Sequence, residues 1–166
     1  MEYSKYIDKR PFFGWQLEHI LYSDGNLKKI SWVIQTNESF ISQTRIQTEN
    51  YKNKITRIQS KYVALHVALF WGIGTFKIKN KDSIKIKLDE KIMYQQLKTE
   101  ITTQDEFIKN KIKFITNFIK QRNLKVEFEI INLENNLATK ELEWKRLRPK
   151  TESYSVRSLN CNYKFY

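Results

Sequence analysis

Leu17-Glu-His-Ile-Leu-Tyr-Ser-Asp-Gly25 alternates in hydrophobicity and then stops on Asp24-Gly25, a pair that favours tight turns. A period of two marks a half-buried strand, because successive side chains leave opposite faces of the pleat. Two further runs, Ile30 to Gln35 and Phe40 to Ile46, follow at short spacing. Short connections join antiparallel neighbours, so the three runs predict a β-meander. From Arg57 the period changes. Ile58, Tyr62, Leu65 and Leu69 recur every three or four residues with Val63, Ala64 and Ala68 beside them, which predicts a largely buried helix stopping at Gly72 and Gly74.

Farther along, Ser83 to Leu88 sets Ile84, Ile86 and Leu88 against lysines and reads as a strand running into a short helix, Glu90 to Leu97. Thr103-Gln-Asp-Glu106 has the form of a capping box and opens a long helix lined by Phe107, Ile108, Ile112, Ile115 and Ile119. Leu124, Val126, Phe128 and Ile130 alternate with Lys125, Glu127 and Glu129 in the clearest strand of the chain. A last helix, roughly Asn135 to Lys145, precedes Pro149. These elements divide the chain into an N-terminal arm (1–16) carrying Phe12, Phe13 and Trp15, a domain (17–145), and a basic, aromatic C-terminal extension (146–166).

The chain's 166 residues have room for one ordinary domain, and 40% hydrophobic content with 14% aromatics is enough to bury a core. Thirty Lys and Arg against eighteen Asp and Glu give +12, which points to a polyanionic partner, nucleic acid before an anionic membrane. The 23 Lys, 20 Ile and 13 Asn have A/T-rich codons and suit the genome of an organelle, a parasite or certain microbes. Cys161 is the sole cysteine and the two histidines, His19 and His66, are far apart, so neither a disulfide nor a zinc cluster is expected. Both histidines read as packing residues. No apolar run reaches the length of a membrane span, and acids early in the N-terminus argue against a signal peptide or presequence. The expectation is that a protein working in an organelle would be made there.

The element order, three strands, a helix, a strand with a short helix, a long helix, a strand and a final helix, resembles that of the ribonuclease H-like family. Leu21-Tyr-Ser-Asp-Gly25 looks like the end of that family's first strand, with Asp24 as its first metal-binding aspartate. Lys87-Leu-Asp-Glu-Lys-Ile-Met93 resembles the end of its fourth strand, with Asp89 as the second. Glu134-Asn-Asn-Leu-Ala-Thr-Lys-Glu-Leu142 is similar to the signature opening its last helix. The resemblance implies an α/β fold with a five-stranded mixed sheet, three antiparallel strands then two parallel, flanked by helices. It also implies four carboxylates holding two magnesium ions about 4 Å apart for hydrolysis of the RNA strand of a hybrid. The third and fourth carboxylates are missing. No Asp or Glu occurs from Asn50 to Lys81, so Lys61 takes the glutamate's position, and Thr139 or Lys140 stands where the last aspartate belongs. Asp24 and Asp89 then hold one weak metal at most, or serve only to open a turn and to cap a helix.

The basic residues carry the remaining expectation. Lys52, Lys54, Arg57 and Lys61 lead into and along the first helix, Lys109, Lys113 and Lys120 mark the long one, and Lys145, Arg146, Arg148, Lys150 and Arg157 follow with Tyr154 and Tyr163 as stacking surfaces. The expected function is that of a non-catalytic RNA-binding or structural subunit of a ribonucleoprotein, without cofactor, among RNA and protein neighbours. A mitochondrial ribosomal protein encoded in the organelle is its concrete form, with a cytoplasmic setting otherwise. The alternative is a divergent, magnesium-dependent ribonuclease H.

Overall fold

The computed structural model describes residues 18–36 and 39–147, the side chains of 144–147 excepted. The proposed arm and residues 148–166 of the extension lie outside the described residues. The strands are β1 (Glu18–Gly25), β2 (Lys29–Gln35), β3 (Phe40–Ile46), β4 (Ser83–Leu88) and β5 (Lys125–Ile130). The helices are α1 (Arg57–Gly74), α2 (Lys91–Leu97), α3 (Glu106–Gln121) and α4 (Leu137–Leu147). The sheet order is β3-β2-β1-β4-β5. β1 pairs antiparallel with β2, and β2 with β3, while β4 runs parallel to both β1 and β5. This is the mixed sheet expected, and among the described residues no helix is long and apolar enough to cross a membrane.

Alternation along β2 separates two apolar layers. Ile30, Trp32 and Ile34 join Leu21, Tyr62, Leu65 and Leu69 in the core beneath α1, with Ile108 and Ile115 of the neighbouring α3. Val33, Ala138 and Leu142 are buried outside that cluster, where α4 packs on β1, β2 and β3. A helix packed on each layer fixes the strand register, since a one-residue slip would exchange the layers.

Three local expectations are corrected. Asp24 and Gly25 remain in the ladder, opposite Ser31 and Ile30. The turn is made one residue later, where the Asn26 side-chain oxygen accepts from the N–H groups of Lys28 (2.9 Å) and Lys29 (2.8 Å). Gly25 is required by close approach: a Cβ there would lie 2.4 Å from Ser60 Oγ and 2.5 Å from the Ser60 carbonyl oxygen. Its absence lets α1 meet the end of β1. The cap of α3 is Asp105, accepting from Ile108 N–H (3.1 Å), whereas Thr103 only accepts from Asp105 N–H (3.2 Å). The reciprocal capping box lies at Thr56 and Gln59, opening α1. Asp89 does not cap α2, whose N-cap is Glu90 without a side-chain bond.

Candidate functional site

β1 and β4 are adjacent and parallel with Tyr22 beside Lys87, so Asp24 and Asp89, each two residues farther on, leave the sheet at the same level. The close contact at Gly25 and Ser60 then sets Lys61, the next residue of α1, against both. Lys61 Nζ lies 2.7 Å from Asp24 Oδ1 and 2.8 and 2.9 Å from the two Asp89 oxygens. All three side chains are at least 96% buried, being 4%, 3% and 4% exposed.

The remaining valences of the carboxylates are filled from α4 and the backbone. Thr139 Oγ1 donates to Asp24 Oδ2 (2.7 Å), and Gly25 N–H donates to Asp24 Oδ1 (2.8 Å). Asn136 Nδ2 donates to Asp89 Oδ2 (3.2 Å) and to the Ser23 carbonyl (3.1 Å), while its own oxygen accepts from Ala138 N–H. Every carboxylate oxygen thus faces a donor. Such completeness is what makes a buried ion cluster tolerable, since desolvation otherwise outweighs Coulomb attraction. Asn136 was missed by sequence reading, which weighted the carboxylate positions. Its signal was an Asn at the entrance to a helix, where that residue commonly caps.

Among the described residues, no three His, Cys, Asp or Glu gather in a way that could hold a metal ion. The donor set does not fit a pair of magnesium ions. Hard dications need several free oxygen ligands, and here two carboxylates are already turned onto one tethered ammonium. Glu134 is exposed. A cleft of about 480 Å³ opens beside Asp24, lined also by Asn26, Arg57, Thr139 and Glu143.

The structure brings Asp24, Asp89, Lys61 and Thr139 together and scatters the expected surface bases. Lys61, expected among the nucleic-acid contacts, is buried and paired, which removes it from the surface. Lys54, Arg57, Lys109, Lys113 and Lys120 are exposed, and Lys52 is half-buried. Two of these have acidic neighbours, Lys52 with Glu49 (3.4 Å) and Lys109 with Glu106 (2.6 Å). The side chains of Lys145 and Arg146, together with Arg148, Lys150, Tyr154, Arg157 and Tyr163, lie outside the described residues. His19 is fully buried, its Nε2 2.9 Å from Asp82. His66 packs between α1 and α3, stacked on Phe114, and burial with Lys111 nearby lowers its pKa to about 4.

A sheet ordered 3-2-1-4-5, with one aspartate near the end of its first strand and another just past its fourth, defines a ribonuclease H-like fold, and solved structures agree. The chain is similar to the RNase H1 of the halophilic archaeon Halobacterium salinarum (14% identity, TM-score 0.60), covering 76% of this chain and 92% of that one. It is also similar to the N-terminal RNase H domain of a Mycobacterium tuberculosis protein (11%, TM-score 0.62, 75% and 95%). A third is an RNase H1 isolated from compost, solved with an RNA/DNA hybrid (20%, TM-score 0.62, 75% and 92%). No protein-family model and no curated protein matches the sequence.

Proposed function

We propose that this chain binds nucleic acid through a ribonuclease H-like scaffold without cleaving it. The observation that carries this reading is the Lys61 ammonium between Asp24 and Asp89, where the resemblance would place metal ions. A metal entering there would have to displace a tethered cation from two buried carboxylates, and it would find a hydroxyl, Thr139, in place of a further anion. The metal-activated water on which hydrolysis depends therefore lacks its support. Lys61 balances one of the two carboxylates, and the net charge of +12, counted over the whole chain with this cluster included, supports phosphate binding elsewhere on the molecule.

The partner is RNA, and the role is that of a structural subunit in a ribonucleoprotein. Lys, Ile and Asn usage supports an organelle-encoded origin, for which a mitochondrial ribosomal protein is the specific form. The hybrid seen in the compost RNase H1 structure supports the nucleic-acid class of the partner. A hybrid-cleavage assay in magnesium or manganese tests the first claim, comparing the natural chain with Asp24→Asn and Asp89→Asn. The expected result is no cleavage by any of the three. Metal-dependent cleavage lost in both variants would establish a divergent nuclease instead. Sizing the native protein with and without ribonuclease treatment tests the assembly, which should shrink when RNA is digested.

A further inference from the structure

At the end of α1 remote from Lys61 the molecule turns aromatic rings toward solvent. Phe70 is 63% exposed, Phe114 50% and Phe76 79%. Single exposed apolar residues are ordinary, but these belong to a connected array. The Phe70 ring lies 5.9 Å from Phe118, Phe118 lies 5.6 Å from His66, and His66 stacks on Phe114 at 5.2 Å with planes 4° apart. The array bridges α1 and α3, and its two ends, Phe70 and Phe114, are the members left open to water.

Phe76 adds an independent observation. Its backbone is left-handed (φ 56°), uncommon for a bulky residue, and no burial of the ring accounts for it. The neighbouring Ile78 enters the core, its N–H bonded to the Gly72 carbonyl at 3.0 Å, so the loop is anchored with Phe76 facing outward.

The segments that carry these rings hold charges of one sign. Neither residues 50–81 nor residues 107–126, which supply α1, the loop after it and nearly all of α3, contain an Asp or Glu. Lys77, Lys79, Lys81, Lys120 and Arg122 are exposed. The Lys81 N–H bonds to the Arg122 carbonyl (2.9 Å), which holds the loop against the end of α3. Flat apolar rings on two segments whose charged residues are all basic match a ligand that combines flat faces with regular negative charge.

We propose that this α1–α3 face binds single-stranded nucleic acid, with unpaired bases stacking on Phe70 and Phe114 and phosphates held by the bases of the loop after α1. A duplex offers no such faces, because its bases are already stacked on one another. Phe70 lies nine residues beyond Lys61, about 13 Å along the helix, so the face is distinct from the carboxylate cluster. The inference rests on the reading that the chain binds nucleic acid.

The test is fluorescence anisotropy of a labelled short oligouridylate, and of a duplex of equal length, with the full chain. Phe70→Ala combined with Phe114→Ala should weaken oligouridylate binding tenfold or more and change duplex binding less than twofold, with a thermal midpoint lowered by the lost ring contacts but still well above the assay temperature. Phe70→Leu with Phe114→Leu should also weaken it, since apolar area remains but the π faces are gone. Oligouridylate binding that survives both variants overturns the proposal, as does an equal loss for the duplex. If the alanine variants abolish self-association in sedimentation while oligonucleotide affinity holds, the face docks protein and the proposal fails. Should the natural chain bind neither probe, the nucleic-acid reading fails with it; binding indifferent to both phenylalanines removes this proposal alone.

Discussion

Lys61 decides what the ends of β1 and β4 can do. Among the described residues its ammonium is the one cation within bonding distance of both buried carboxylates, so removing it leaves them uncompensated. Lys61→Met should therefore cost about 3–5 kcal/mol of unfolding free energy, the range for breaking a buried ion pair by removing one partner. Urea titration measures this, and a loss below 1 kcal/mol would mean that the cluster is not the cohesive element its geometry describes. The converse change is equally diagnostic. Lys61→Glu with Thr139→Asp gathers four carboxylates and should create a magnesium-dependent rise in thermal midpoint, which the natural chain should lack. At this scale the sequence was informative about the residues but not about their bonds. An acid-free stretch from Asn50 to Lys81 forces a lysine into the site, yet nothing in that stretch says whether the ammonium turns inward to Asp24 and Asp89 or outward to solvent. Tertiary contact at Gly25 and Ser60, invisible to local pattern, settles it.

Among the elements, α1 and α3 are joined by polar contacts at their beginnings and by rings farther along. Asp105 serves both helices, capping α3 and accepting from Gln59 Nε2 at 2.7 Å. Asp105→Ala should cost about 1–2 kcal/mol, a lost cap plus a lost bond, whereas Thr103→Ala should stay within about 0.5 kcal/mol. A larger effect at Thr103 would restore the capping box that its spacing advertised. The helices themselves were legible because apolar periodicity over many residues averages out local noise. Caps were not, because Thr103, Asp105 and Glu106 all carry suitable oxygens and only the path of the chain selects among them. His66, between the same helices, gives a pH signature. Burial first, then Lys111, holds its folded pKa at about 4, below the value near 6.5 of an unfolded chain. The unfolded state therefore takes up the proton first on acidification. The stability associated with neutral His66 is complete above pH 6.5 and is lost as pH falls toward 4. His66→Gln loses ring contacts at every pH but should show a correspondingly shallower decline across that window.

For the whole molecule, the positive charge is neither spread evenly nor directed at the carboxylates. Lys61 and Lys111 are buried within the fold and Lys109 is engaged by Glu106, while Lys113 and Lys120 stand exposed on α3. Composition alone revealed the surplus, and only the sheet order and helix packing revealed that two acid-free segments distant in sequence share one face. That arrangement makes charge and aromatic contributions to binding separable. Each phosphate neutralised on a single strand releases counterions and contributes about 0.7 to the slope of log affinity against log salt, whereas stacking is nearly indifferent to salt. Lys77→Gln with Lys79→Gln should consequently flatten the slope for oligouridylate by about 1.4 if each meets one phosphate. Phe70→Ala with Phe114→Ala should lower affinity at all salt concentrations and leave the slope in place. Parallel lines for the phenylalanine variant and convergent lines for the lysine variant would show one strand engaged by both kinds of group. A slope unchanged by the lysine substitutions would place the phosphates elsewhere on the molecule.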